Sequence, residues 1–150
     1  MSENRPQLAK TEAALPGARF LVIASQFNGE IVAELKAGAI ERLKLAGVAV
    51  EEVVVPGALE IPVAAAIKLD QGKYDGVIAL GCVIRGETEH FEIVAHQSSR
   101  ALMDFAVSRK IALGNGILTV DTEAQAWTRA KRAEGNVGGH AAAAALVLAR

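Results

Sequence analysis

Two hydrophobic periodicities alternate along the chain from residue 19 onward. Phe20-Leu21-Val22-Ile23-Ala24 is an unbroken apolar run, the pattern of a strand buried on both faces. Over residues 30–46, Val32, Leu35, Ala39, Leu43 and Ala46 recur at helical spacing, and Gly47 is placed to end that helix. Residues 48–55 are rich in β-branched side chains and stop at Pro56-Gly57, a strand followed by a turn. Residues 59–71 predict a helix, with Pro62 acceptable in its first turn. The alternation then repeats. Residues 76–84 predict a strand, and 90–108 a helix with Phe91, Val94, Ala95, Ser98, Leu102 and Phe105 on one stripe. Residues 111–120 predict a strand, and 122–132 a helix capped by Asp121 or Thr122 and broken by Gly135. Residues 138–149 predict a final Ala-rich helix.

Alternating strands and helices with apolar strands mean a parallel sheet covered on both faces. Right-handed crossovers then produce a three-layer α/β/α sandwich, flavodoxin-like, with four parallel strands. Ligands in such folds sit beyond the carboxyl ends of the strands, where strand order reverses. Three loops therefore merit inspection before any chemistry is considered: residues 25–29, 55–60 and 85–90.

Composition narrows the function classes. Apolar residues make up 51% of the 150 and charged residues 22%, enough for one core and one domain over residues 19–150. With aromatics at only 4%, that core must be aliphatic. The net charge of −1, with Lys and Arg dispersed, points to neither nucleic acid nor a membrane surface. Residues 1–18 read as a polar, flexible arm without the apolar stretch of a secretory signal, and no run suits a membrane span. The lone Cys82 precludes an intrachain disulfide and favours a reducing compartment, so a cytoplasmic protein is expected.

The first loop carries Phe27, which either stacks on something planar or staples the following helix. In the second, Glu60 sits where a carboxylate complements the helix dipole. It acts as a cap, or residues 58–60 offer main-chain groups to a polar heterocycle. The third loop, Arg85-Gly86-Glu87-Thr88-Glu89-His90, runs from a buried strand to a helix start. Gly86 permits close backbone approach, free N–H groups there suit phosphate, Thr88 adds a hydroxyl, and His90 is either a surface cap or a general base. Cys82 reads as a small core residue. His96 lies about 120° around the helix from His90 and does not share its side. No His/Cys cluster has metal-ligand spacing. Gly114-Asn115-Gly116 leads into a strand, so it is not a dinucleotide fingerprint. Arg129, Lys131 and Arg132 read as a solvated basic cluster at a helix end.

Taken in order, these segments resemble lumazine synthase. The resemblance runs from Phe20 to about Ala145 and is carried by Phe27-Asn28, Val55-Pro56-Gly57-Ala58-Leu59-Glu60-Ile61-Pro62, Gly81-Cys82-Val83-Ile84-Arg85-Gly86-Glu87-Thr88-Glu89-His90-Phe91, Gly116-Ile117-Leu118-Thr119, and Gln125-Ala126 with Arg129. The family condenses 5-amino-6-ribitylamino-uracil with 3,4-dihydroxy-2-butanone 4-phosphate, releasing phosphate and two waters without cofactor or metal. The resemblance implies that Phe27 stacks on the pyrimidine, and that Ala58, Leu59 and Glu60 hold the uracil and ribityl groups. It further implies that Val83 and Ile84 supply main-chain contacts to the uracil, and that Gly86, Glu87 and Thr88 cradle the phosphate. Arg129 would reach in from a neighbouring subunit, and His90 would move protons.

This chain departs from the family pattern at three places. Asn115 stands where many members have an aromatic that serves the adjacent subunit's site. Asn136-Val137-Gly138-Gly139-His140 replaces an Asn-Lys-Gly segment with a later Glu, so a lysine and an acid are missing. Glu87 and Glu89 flank a phosphate loop, which requires their carboxylates to face solvent. The family forms pentamers, and some members assemble twelve into a sixty-subunit shell; both assemblies are open here, as is association with riboflavin synthase. The competing readings are a non-catalytic lumazine or flavin binder on the same scaffold, a flavodoxin, and a phospho-receiver. His90 with Thr88 and Arg129 argues against the binder. The first loop has neither the Ser/Thr-rich phosphate site of the flavodoxin nor the acidic cluster of the receiver.

Overall fold

The computed structural model describes residues 14–150. Four strands, β1 (Arg19–Ser25), β2 (Ala49–Val55), β3 (Gly76–Ile84) and β4 (Ala112–Val120), alternate with α1 (Gly29–Leu45), α2 (Glu60–Gln71), α3 (His90–Arg109), α4 (Glu123–Ala130) and α5 (Val137–Ala149). All pairings are parallel, in the order β2-β1-β3-β4. The three-layer sandwich expected from the alternating pattern is the fold observed.

Strand alternation divides the core between the faces. Phe20, Val22 and Ala24 of β1, with Ile78, Leu80 and Cys82 of β3, pack under α1, α4 and α5. Leu21 and Ile23, with Val77 and Ala79, pack under α2 and α3. The Ala-rich α5 lies close against α1. A Cβ on Gly138 would stand 1.9 Å from the carbonyl oxygen of Leu35, so only glycine permits that approach.

The helix ends have local causes. Gly47, at φ 78°, follows α1 in the left-handed conformation that glycine adopts without strain. Thr122, not Asp121, caps α4 in a full capping box with Gln125. The helix expected to reach residue 132 stops at Ala130. The main-chain N–H of Arg132 donates to Glu34 Oε2 at 2.9 Å, and its guanidinium reaches Glu34 and Glu41. Arg132 therefore leaves the helix and, while its side chain and that of Lys131 stay exposed, ties this link to α1, and Gly135 packs against the backbone of Arg129. Asn136, at φ 46°, caps α5, and Val137 is buried in the core where the family pattern has a lysine.

The arm expected over residues 1–18 lies mostly outside the described residues. At its described end, Leu15 N–H donates to Ala46 O at 3.0 Å, and Ala18 is buried. No described helix is long and apolar enough to cross a membrane.

Candidate functional site

The strand order reverses between β1 and β3, and a cleft of about 360 Å³ opens at their carboxyl ends. Phe27 and Asn28 come from the β1–α1 loop, and Gly57, Ala58, Leu59 and Glu60 from the β2–α2 turn. Cys82, Val83 and Ile84 of β3 and His90 and Val94 of α3 complete the lining. All three loops selected from the strand ends thus meet in one place.

Register explains why β3 can serve a ligand. Leu80 is the last residue in register with β1, opposite Ala24, while residues 81–84 run on beside β4 alone. Their main-chain edge on the β1 side borders the cleft. Asn28 takes one group there, its Nδ2 donating to Cys82 O at 2.9 Å. On the opposite edge, Arg85 N–H donates to Val120 O at 2.8 Å. Since edge groups alternate along a parallel strand, Cys82 and Ile84 present main-chain groups to the cleft and Val83 to β4. Asn28 reaches its position in the left-handed region, at φ 56°, which asparagine tolerates.

Phe27 is 71% exposed, which excludes the role of a staple buried under α1. Its ring borders the turn at Gly57, where a Cβ would come within 3.4 Å of Phe27 Cδ2. Glu60 is the first residue of α2, and its Oε1 accepts a hydrogen bond from Gly57 N–H at 2.9 Å. It therefore closes the turn and lines the cleft at once. His90 opens α3 at the rim, and its main-chain N–H donates to Thr88 Oγ1 at 3.3 Å. Val94, one helical turn on, stands beneath it as a buried wall.

Cys82 is only 3% exposed, and burial, followed by the charge of Glu123, pushes its thiol up to about 11. It stays a protonated thiol at neutral pH and acts as a wall, not as a nucleophile.

The remaining expected residues lie apart from the lining. Gly86, Glu87 and Thr88 form the exposed stretch between Ile84 and His90, at the rim. Asn115 is on the open face of β4, its Oδ1 accepting from Ile117 N–H at 3.0 Å and its Nδ2 near Ser99 Oγ. Arg129 is on α4, half-buried, donating from its guanidinium to Gln125 O at 3.1 Å. Neither borders the cleft of its own chain. Among the described residues, no His, Cys, Asp and Glu group is arranged to hold a metal. Asn28, Gly57, Cys82 and Val94 were not singled out as site residues. Two had readable signals: an Asn-Gly pair after a strand, and an apolar residue four positions after His90 on one helix face.

The sequence profile of the 6,7-dimethyl-8-ribityllumazine synthase family matches residues 17–150. A 6,7-dimethyl-8-ribityllumazine synthase of Methylobacterium radiotolerans is 60% identical over 136 residues, covering 91% of this chain and 83% of that protein. One of Nitrobacter winogradskyi is 52% identical over 155 aligned positions, covering 100% and 95%. A 6,7-dimethyl-8-ribityllumazine synthase 1 of Rhodopseudomonas palustris is 50% identical, again over all of this chain.

Proposed function

The chain belongs to the 6,7-dimethyl-8-ribityllumazine synthase family, and from that premise we propose how its cleft carries out the reaction. The protein is a transferase of riboflavin biosynthesis. One observation carries the reading of the site: an exposed aromatic ring, an unpaired strand edge and a histidine meet in a cleft at the point where strand order reverses.

In this reading the pyrimidine of 5-amino-6-ribitylamino-uracil stacks on Phe27, a contact worth roughly 0.5–1.5 kcal/mol beyond buried area. Its polar edge pairs with the β3 overhang, where the alternation favours the main chain of Ile84, while Val83 forms part of the wall. Ala58, Leu59 and Glu60 take the ribityl side. The phosphate of 3,4-dihydroxy-2-butanone 4-phosphate rests on the main chain of Gly86, Glu87 and Thr88, at the start of α3. The exposure of Glu87 and Glu89 supports this, since their carboxylates can face water.

The 5-amino nitrogen attacks the ketone carbon, and loss of the first water leaves an imine. A proton leaves carbon as inorganic phosphate departs. The enol that remains takes up a proton at its terminal carbon and gives up its hydroxyl proton to become a ketone, and the second amine closes the ring on that carbonyl with loss of the second water. His90 accepts and returns protons in these steps, contributing roughly 10²–10⁴-fold. Holding amine and ketone together supplies much of the rest. Neither a metal nor a cofactor takes part.

We also propose a homo-oligomeric ring, a pentamer, in which Arg129 and Asn115 border the neighbour's cleft; twelve such rings would make the sixty-subunit shell. Two features support an oligomer. Val63 and Ile67 on α2 and Ile93, Met103 and Val107 on α3 are exposed, an apolar face that a lone subunit leaves in water. Arg129 and Asn115 also do not line the cleft of their own chain. The buried, free Cys82 suits a reducing compartment, and we place the reaction in the cytoplasm, with riboflavin synthase as the partner that consumes the product.

The test mixes purified protein with both substrates and follows product absorbance with and without chelator. Equal rates are expected. Loss of activity in chelator, restored by added metal, would refute the metal-free mechanism, and no product at all would refute the assignment of this cleft to catalysis.

A further inference from the structure

We propose that Arg85 is a positioning residue for this reaction: its guanidinium holds the phosphate loop and the first turn of α3 in the geometry that phosphate and His90 require. The proposal rests on reading residues 86–88 as the phosphate cradle.

Arg85 is the first residue past β3, and one side chain joins three segments. Its Nε donates to Asp121 Oδ1 at 2.8 Å, in the turn after β4. Its Nη1 donates to Glu92 Oε1, in the first turn of α3. Its guanidinium carbon lies 4.3 Å from the centroid of the Phe91 ring. His90 directly precedes Phe91, so the clamp grips the helix turn that carries the base. The loop between has little support of its own. Residues 85–90 are all exposed, and no heavy atom lies within 4 Å of a Cβ built on Gly86. Its internal tether among the described residues is the hydrogen bond from His90 N–H to Thr88 Oγ1.

The same contacts argue against Arg85 as a phosphate ligand. Its cation already faces two carboxylates, Asp121 and Glu92, which a phosphate dianion would have to displace. Arg85 therefore acts through the main chain it aligns. The task needs a planar fork with two donor directions and a face for Phe91, which lysine lacks.

Arg85→Met keeps the aliphatic stem and removes the clamp, while Arg85→Lys keeps the charge and removes the fork. Exposed ion pairs are individually weak, so the KM for the keto-phosphate should rise about 3–10-fold in Arg85→Met and nearly as much in Arg85→Lys. Competitive inhibition by inorganic phosphate should weaken by the same factor, while the KM for the uracil substrate stays within about twofold. Glu92→Gln and Asp121→Asn should each reproduce part of the effect and add nothing to Arg85→Met. These variants keep the proposal testable if Arg85→Met does not fold. Unchanged phosphate inhibition in Arg85→Met and Arg85→Lys overturns the proposal, as does a parallel rise in both KM values, the mark of a general structural role. Thr88→Val separates the two levels. If it weakens phosphate while the Arg85 variants do not, only the clamp is wrong; if neither weakens phosphate, the cradle itself lies elsewhere and the clamp falls with it.

Discussion

Glu60 performs two tasks that one pair of substitutions can separate. Its carboxylate accepts from Gly57 N–H at 2.9 Å in a half-buried turn, and it also lines the cleft. Glu60→Ala removes the acceptor and leaves a partly buried N–H without a partner. A hydrogen bond to a charged group contributes roughly 1.5–3 kcal/mol, and partial exposure lowers that toward 1–2 kcal/mol. Loss of the carboxylate from the first turn of α2 adds about 0.3 kcal/mol. For a chain of this size, each kcal/mol lowers the thermal midpoint by about 2–4 °C, so a drop of about 3–9 °C is expected. Glu60→Gln keeps an acceptor oxygen on a side chain of the same length and should recover at least half of the loss. The assay is thermal unfolding at one fixed protein concentration, since an oligomer's midpoint depends on it, alongside the KM for each substrate. If the carboxylate also binds substrate, Gln restores stability while the KM for the uracil stays raised and that for the keto-phosphate is normal. A Glu60→Ala midpoint equal to wild type would refute the energetics. Restoration of both stability and uracil KM by Gln would reduce Glu60 to a turn residue.

His90→Ala should slow turnover by roughly 10–10³-fold, since proximity survives loss of the base; full turnover at neutral pH would make His90 structural. Arg129→Ala should weaken the keto-phosphate by about 10–100-fold and spare the uracil, by loss of a charge-assisted contact. Mixed refolding of His90→Ala with Arg129→Ala should restore activity above the sum of the separately refolded mutants, because some interfaces then carry neither change. Mixed rings confirmed by mass but without recovery would place both residues in one subunit's own site. Lys68, then Tyr74 and Arg19, hold the Glu51 carboxyl below its ordinary value of 4.5, and Arg85 does the same for Glu92. A lowered pKa stabilises the fold above the ordinary value and loses that contribution as pH falls through the lowered one. The thermal midpoint should therefore decline below pH 4.5 and decline less steeply in Glu51→Gln; an equally steep fall would show that Glu51 is not among the groups responsible.

Order and type of the elements were legible from position 19 onward because each carries its own period and punctuation. The apolar run of β3 is bounded by Gly76 and Arg85, and the expected limits are those observed. Gly47 and Thr122 act on backbone within one turn, so they could be read where they stand. The end of α4 could not be read that way. The acceptor that draws Arg132 out of the helix is Glu34, 98 positions earlier.

For the site, local chemistry nominated Phe27, Glu60, Thr88 and His90, and the order of the motifs named the family to which the chain proved to belong. Strand-end logic correctly brought three distant loops together. Sequence left open whether Phe27 was a staple or an open face, because exposure depends on what packs above it. It was also silent on the β3 edge. That edge is free because β1 stops in register with β3 at Leu80, a consequence of the order β2-β1-β3-β4. Asn28 and Cys82 became partners across 54 positions for the same reason. Periodicity records which face of an element is buried, and a turn residue records its own backbone angle. Which backbone groups remain unpaired is decided only when strands from separate parts of the chain are laid side by side.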